Sequence, residues 1–232
     1  MIQLSVSIMH CPMTKERRDG VERIIEKLKP INIQSLLEDF NIVQDWKQRG
    51  AWATARTCWI TGLLTKSTHH LVLQDDVILC DDFLKSTLKC IQVYPKSPIG
   101  LYVNRKIAEE ARSKDYRWVQ IPDGVWGQAI ILPNFLISRF LDWEKKHILP
   151  HFKHDDSRLA MFLVDQKIPA MCPMPSLVNH DGAERSIVGQ SNKNKIARWY
   201  IANKSYLDYN WADNKFLKGS SALSKDYYKY YV

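Results

Sequence analysis

Cysteine is scarce and poorly spaced for structural use. Cys11, Cys58, Cys80, Cys90 and Cys172 are odd in number, far apart, and include no CxxC pair. This argues against a disulfide framework and a cysteine-built zinc site, and it suits a reducing intracellular compartment. Long apolar runs are missing too. No segment approaches the roughly 18–20 uncharged residues that a membrane span requires. The opening residues 1–10 are too short and interrupted for a signal-peptide core, with no cleavage pattern behind them. A soluble, cytoplasmic protein is expected. Internal repeats, low-complexity tracts and a convincing linker are also lacking, so the 232 residues read as one large domain able to bury its own core.

What is present is an ordinary globular composition, 45% hydrophobic and 25% charged, with a formal net charge of +8. The positive excess is uneven. Between Gly189 and Val232 eight Lys or Arg face three acids, and ten aromatic residues are interleaved with them. A basic balance favours polyanionic partners such as nucleic acid, an anionic lipid surface or phosphorylated glycan, without choosing among them.

Hydrophobic periodicity predicts an opening strand over residues 2–9, a helix over 17–28 ended by Pro30, and a helix over 50–64 with Trp52, Ala55, Trp59 and Leu63 near one face. Residues 31–40 fit either a short strand or a second helix. Leu71-Val72-Leu73 reads as a short buried strand, followed by a helix through Val93 that Asp81 or Asp82 could cap. A strand over 99–103, a loop or exposed helix over 106–117, a buried strand or helix start over 124–132 and a helix over 133–146 come next. A helix over 157–166, with Asp155 and Asp156 at its start, and an extended, proline-rich stretch over 169–178 complete the pattern. Strands alternating with helices predict an α/β fold whose mostly parallel central sheet carries helices on both faces. The expected division is a main domain over 1–188 and a basic, aromatic extension over 189–232 that packs on it or completes it.

The sharpest chemical feature is the apolar strand that stops at Gln74-Asp75-Asp76. In open α/β sheets ligands bind beyond the carboxyl ends of strands. Two adjacent carboxylates repel each other there, and a divalent cation such as Mg²⁺ or Mn²⁺ relieves the repulsion while sharing phosphate oxygens with a substrate. The plainer reading is that these acids punctuate a strand end and hold a turn.

The run Leu-Val-Leu-Gln-Asp-Asp-Val-Ile-Leu-Cys-Asp-Asp-Phe (71–83) resembles the acidic motif of GT-A glycosyltransferases, especially the Glu-Asp-Asp form of the twenty-fifth family, in its lipopolysaccharide-type and collagen-type members. Four other segments resemble that family in the expected order. They are the helix bearing Arg17 and Arg18, the helix of residues 50–59, Gly-Val-Trp-Gly-Gln-Ala-Ile-Ile-Leu (124–132), and Pro-Ser-Leu-Val-Asn-His-Asp-Gly (175–182). Asp155-Asp156 stands where such folds carry a catalytic acid pair. The similarity spans roughly residues 2–190 and departs from the family at Gln74, which replaces an acid and adds no charge.

The resemblance implies a GT-A, Rossmann-like domain that moves a hexosyl or pentosyl group from a nucleoside-diphosphate sugar, most simply a UDP-sugar, to an acceptor hydroxyl. Asp76 is then the metal carboxylate and His180 a second ligand to Mn²⁺ or Mg²⁺. Gln74, Asp75, Arg17 and Arg56 contact the donor, Trp126 and Gly127 the acceptor. Asp156, ahead of Asp155, is the general base of an inverting displacement. Each role has a plainer counterpart: a loop histidine for His180, a helix cap for the acid pair, a core ring for Trp126, a surface residue for Arg56.

The basic, aromatic tail supplies the parts of a nucleic-acid surface, lysines for phosphates and rings for base stacking. It therefore points to DNA carrying 5-hydroxymethyl-pyrimidine as an acceptor, flipped out for modification as by some phage enzymes in the host cytoplasm. An envelope saccharide is the other acceptor, and rings packed on the main domain with solvated lysines are the plainer reading of the tail. Two further readings stay open: a non-catalytic nucleic-acid-binding module on a degenerate transferase fold, and a nucleotidyltransferase, which shares paired strand-end carboxylates.

Overall fold

The structure is a computed structural model that describes residues 2–28, 37–123, 126–181, 196–213, 215–221, 223 and 225–231. In chain order the elements are β1 (Leu4–His10), α1 (Lys15–Leu28), β2 (Leu37–Gln44), α2 (Ala51–Leu64), β3 (His69–Gln74), β4 (Val77–Leu79), α3 (Phe83–Val93) and β5 (Ile99–Gly100). Then come α4 (Ile107–Ser113), β6 (Trp118–Ile121), β7 (Ala129–Pro133), α5 (Asn134–His147), α6 (Asp155–Asp165), β8 (Ala170–Pro173), β9 (Val178–His180), β10 (Phe216–Lys218) and a 3₁₀ turn over Lys225–Tyr230.

Eight strands form one sheet in the order β10-β6-β8-β5-β7-β3-β1-β2, and β4 pairs with β9 in a small second sheet. Four of the seven neighbour pairings in the large sheet are parallel and three antiparallel, so the expected parallel majority holds but the sheet is mixed. The antiparallel strand β7 sits in the middle, between β5 and β3.

Side-chain alternation along the central strands explains the layering. Leu71 and Leu73 of β3, with Ala129 and Ile131 of β7, face a core shared with Val21, Ile24 and Leu28 of α1 and with Phe83, Leu84 and Ile91 of α3. Val72, Ile130 and Leu132 face the opposite core, built with Ala55, Cys58 and Trp59 of α2 and the buried sides of α5 and α6. A strand buried on both sides carries apolar residues at successive positions, which is why Leu71, Val72 and Leu73 follow one another in β3. In β1 the polar alternates are buried as well. Ser5 Oγ lies 2.7 Å from both Ser67 Oγ and His70 Nδ1, which satisfies it without water. Burial pushes His70 down to about 4, so this histidine is a neutral core group.

Several sequence expectations change in detail. The ambiguous segment is strand β2 from Leu37 onward, while 31–36 lie outside the described residues. Residues 107–113 are helical. The strand expected over 99–103 pairs only at Ile99–Gly100. Leu63 is 37% exposed and does not belong to the buried face of α2, which runs through Ala55, Cys58, Trp59 and Gly62. Gly62 is small because His70 packs directly beneath it. Asp82 precedes α3 with a left-handed φ of 52° and makes no side-chain cap, and Asp81 pairs with Lys27 instead.

The tail is part of the domain wherever it is described. β10 pairs with β6 at the edge of the large sheet, and Trp199, Tyr206 and Trp211 are buried. Trp118 Nε1 donates to the Trp211 carbonyl at 2.9 Å, and the Tyr230 ring stacks on Phe152. These four tail rings pack against the domain, where covering apolar surface gains more than leaving large rings in water. The boundary at 188–189, Lys193, Lys195 and the side chains of Lys225 and Tyr228 lie outside what is described.

Candidate active site

The site grows from the register of three parallel strands. Met9 of β1 stands opposite Gln74 of β3, so His10 and the Gln74-Asp75-Asp76 turn emerge together at the carboxyl edge of the sheet. The antiparallel β4–β9 pair places Val77 opposite His180, and Asp181 N donates to the Asp76 carbonyl at 2.9 Å. A residue more than a hundred positions downstream is thereby fixed beside Asp76.

The two acids have different surroundings. Asp75 points inward with 1% of its surface exposed. Its Oδ2 accepts from Cys11 N at 2.8 Å and meets His10 Nδ1 at 2.9 Å, and its Oδ1 accepts from Arg17 Nη1. Both oxygens are occupied, so Asp75 anchors Arg17. Arg17, itself buried, also reaches Asp76 Oδ2 at 3.3 Å, and is held by the two carboxylates instead of extending into solvent. Gly20, one turn along α1, lies against the Asp75 carbonyl where a Cβ has no room, so the helix closes tightly on this turn.

Asp76 Oδ2 lies 3.4 Å from His180 Nε2, while Oδ1 is buried and has no hydrogen-bond partner among the described residues. Burial works against ionisation of Asp76, but the hydrogen bond and charge of His180, then the charge of Arg17, outweigh it and hold the carboxyl below the usual range. An ionised carboxylate with one unsatisfied buried oxygen is a poor resting arrangement unless something electropositive completes it. Asp76 and His180 are the residues that would hold a Mg²⁺ or Mn²⁺, with phosphate oxygens and water able to complete its coordination. No group of three or more His, Cys, Asp or Glu converges among the described residues, so these two are the protein's described share of such a site.

A second carboxylate group approaches along β7. Gln74 N donates to the Gln128 carbonyl at 3.0 Å, which brings Gly127 alongside the end of β3. A Cβ built on Gly127 would lie 2.6 Å from Gln74 Nε2 and 3.3 Å from Asp155 Oδ2. Gly127 therefore lies within contact range of both Gln74 and Asp155. Asp155 and Asp156 form the first turn of α6, with His154 in the capping position. Desolvation, and then the Asp156 charge, raise the Asp155 carboxyl to about 7. Asp156 turns back on its own helix, where its Oδ1 accepts from Ser157 N at 2.7 Å. Asp155 faces the Gln74–Gly127 edge, while the Asp156 carboxylate is engaged with Ser157 on its own helix.

Arg158 organises the approach to Asp155. It is fully buried, pairs with Glu144, donates Nε to the Phe152 carbonyl at 2.8 Å and Nη2 to the Leu149 carbonyl at 3.1 Å, and lies 4.8 Å from the Trp52 ring centroid. Its five N–H groups gather carbonyls that a tight loop would otherwise leave unpaired.

Trp126 is partly buried, edge-on to Tyr102 with centroids 6.2 Å apart, and Arg105 covers one ring face at 4.6 Å. Arg105 is in turn paired with Asp123 at 3.1 Å. Gly124 and Val125, just before this ring, lie outside the described residues, as does Gly182 after His180. Arg56 is exposed on α2 with no ion pair among the described residues, and nothing draws it toward Asp76.

Sequence reasoning missed His10, Tyr102, Arg105 and Arg158. Arg158 left a trace, a lone charge entering the run Leu159-Ala160-Met161-Phe162-Leu163. The other three have no local signal, because each is defined by a partner on a distant element.

No family model matches the chain, and no curated protein sequence matches it either. Among solved structures, one similar to it is a mutant Drosophila beta-1,4-galactosyltransferase 7 in complex with manganese, UDP-Gal and xylobiose, with 9% identity, a TM-score of 0.47, and coverage of 85% of this chain and 77% of that one. Another is a glycosyltransferase involved in glycosylation of the major capsid of PBCV-1, with 12% identity, a TM-score of 0.38, and coverage of 70% of this chain and 77% of that one.

Proposed function

We propose that this chain is a GT-A-type, metal-dependent glycosyltransferase that moves a sugar from a nucleoside-diphosphate donor, most simply a UDP-sugar, to an acceptor hydroxyl. One observation carries the reading. A strand-end carboxylate, Asp76, is ionised, backed by His180 and Arg17, and leaves one buried oxygen unsatisfied, while a second carboxylate of raised pKa, Asp155, stands at the neighbouring strand edge.

A divalent cation held by Asp76 and His180 would stabilise the negative charge that develops on the departing diphosphate. Arg17 adds fixed positive charge at the same edge, and the buried Asp75 keeps it aimed. Asp155, when ionised, accepts the acceptor's hydroxyl proton while the hydroxyl oxygen forms its bond to the anomeric carbon. The bond from that carbon to the diphosphate oxygen breaks, and the nucleoside diphosphate leaves. A pKa near 7 suits that role, because a base works best when its affinity matches the operating pH. Gln74 can hydrogen-bond the donor sugar, and Gly127, having no side chain, lets the Gln74 amide and the Asp155 carboxylate close against it at the acceptor side. Trp126, with Arg105 stacked over one face, is the ring that would contact the acceptor.

A saccharide acceptor is favoured over DNA, because Trp199, Tyr206 and Trp211 of the tail are buried and the Tyr230 ring stacks on Phe152, which leaves fewer rings for base stacking. The test is to incubate the protein with Mn²⁺ and a panel of sugar nucleotides and to measure nucleoside diphosphate release with saccharide and hydroxymethylated-DNA acceptors. Donor-specific release that Asp76→Ala removes is expected. Release of pyrophosphate would instead identify a nucleotidyltransferase. Salt-sensitive DNA binding with no turnover of any donor would leave only the non-catalytic reading.

A further inference from the structure

The chain beyond β10 passes both connections that flank the candidate site. On one flank, Ser221 Oγ donates to Asp123 Oδ2 at 3.1 Å, and Arg105 Nη1 donates to the Ser220 carbonyl at 3.0 Å while stacking over Trp126. This fixes the β6–β7 connection that carries Trp126 and Gly127. On the other flank, Leu149 N donates to the Tyr230 carbonyl at 2.9 Å, and Ile148 bridges to Tyr231. The Tyr230 ring stacks on Phe152 with centroids 4.4 Å apart and planes at 22°, and the Tyr227 ring lies 5.6 Å from the same residue. This fixes the connection between α5 and α6 that delivers Asp155. Arg158 holds the same connection through the Leu149 and Phe152 carbonyls, so the loop is gripped from both sides.

We propose that the segment after β10 acts, through Ser220, Ser221, Tyr227, Tyr230 and Tyr231, as a positioning strap, which sets the separation between the Trp126–Gly127 connection and Asp155 without contributing a group to the reaction. A segment that ties two loops on opposite sides of one site restrains their relative position more than either loop could alone, since each loop lacks regular backbone hydrogen bonding. Tyr230 is the central contact. Its ring packs flat on Phe152, and its backbone completes Leu149. The strap rests on the transferase reading for its consequence in catalysis, but its mechanical content can be measured without turnover.

The experiment uses the full chain and three variants, Tyr230→Ala, Tyr230→Phe and Ser221→Ala. Hydrogen exchange of Tyr230→Ala is expected to accelerate about tenfold at amides 148–156, in line with the loss of one aromatic stack, with β1 and β3 unchanged. Ser221→Ala is expected to accelerate exchange at 121–128 instead. In turnover assays, Tyr230→Ala is expected to lower kcat for transfer by roughly tenfold or more while the donor KM stays the same, because misplacing a reacting group costs rate and not donor affinity. Tyr230→Phe is expected to behave as the parent in both measurements. Unchanged exchange at 148–156 in Tyr230→Ala would overturn the strap, as would acceleration spread evenly over the central sheet. A Phe variant as impaired as the Ala variant would also overturn it. If the parent chain turns over no donor at all, the transferase reading fails while the exchange pattern still decides whether the strap exists.

Discussion

Replacing Asp155 by Asn removes a carboxylate that the fold holds at a cost, so the variant is expected to gain stability at alkaline pH while losing transfer. In the unfolded chain this carboxyl ionises near 3.8, and in the native chain it holds its proton up to about 7. Between those values the native state binds more protons than the unfolded state, so stability falls as pH rises through the window and the loss is complete above about 7. Each tenfold change in proton affinity is about 1.4 kcal/mol, which sets a ceiling of about 4 kcal/mol for the whole displacement. Asp155 is only partly buried, and water at the site edge screens the ionised form, so about 1–2 kcal/mol is the expected gain for Asn at pH 8.5. For a domain of this size that corresponds to roughly 2–8 °C in Tm. At pH 4 the parent carboxyl is already neutral in the native state and Asn is its near-isostere, so the gain disappears. Thermal melts of both proteins at pH 4, 6 and 8.5 make the measurement. A stability gain of equal size at pH 4 and 8.5, or a loss at 8.5, would refute the reasoning. Transfer should drop by about 10²–10⁴-fold, the usual contribution of a general base.

Two glycines test the close approaches that build the site. Gly127→Ala places a methyl group 2.6 Å from Gln74 Nε2 and 3.3 Å from Asp155 Oδ2. The flexible Gln74 amide can yield at small cost in stability, but transfer is expected to fall about 10–100-fold, read as kcat against an unchanged thermal melt. Gly20→Ala meets the Asp75 backbone carbonyl, which cannot rotate away. Helix α1 must lift from the β3–β4 turn, so a loss of about 1–3 kcal/mol in urea denaturation is expected, together with weaker stabilisation by Mn²⁺ plus nucleoside diphosphate.

What the chain could disclose by itself was whatever depends on neighbours in sequence. The Leu71–Leu73 run announced a strand buried on both faces, because only such a strand needs consecutive apolar residues, and its abrupt stop at Gln74-Asp75-Asp76 marked a sheet edge where polar chemistry can sit. Helices α1, α2, α5 and α6 were legible from their apolar spacing and their breakers. The resemblance brought His180 and the Asp155–Asp156 pair into the candidate site without any contact to support them. Only the tertiary structure divided labour between adjacent acids. Asp75 and Asp76 are indistinguishable by local pattern, yet the turn between β3 and β4 sends their side chains to different surroundings, so one is sealed against His10, Cys11 and Arg17 while the other keeps a buried oxygen unsatisfied. The same holds at the start of α6, where contact across from Gly127 distinguishes Asp155, while Asp156 is spent on Ser157. The fate of the tail rings was likewise decided by the edge they cover. Lysines and aromatics in alternation suit both a nucleic-acid face and a packed flank, and only the fold shows that β10 closes the strand edge at β6 while Trp211 meets Trp118, an arrangement favoured because an uncovered strand edge and bare apolar surface are costly.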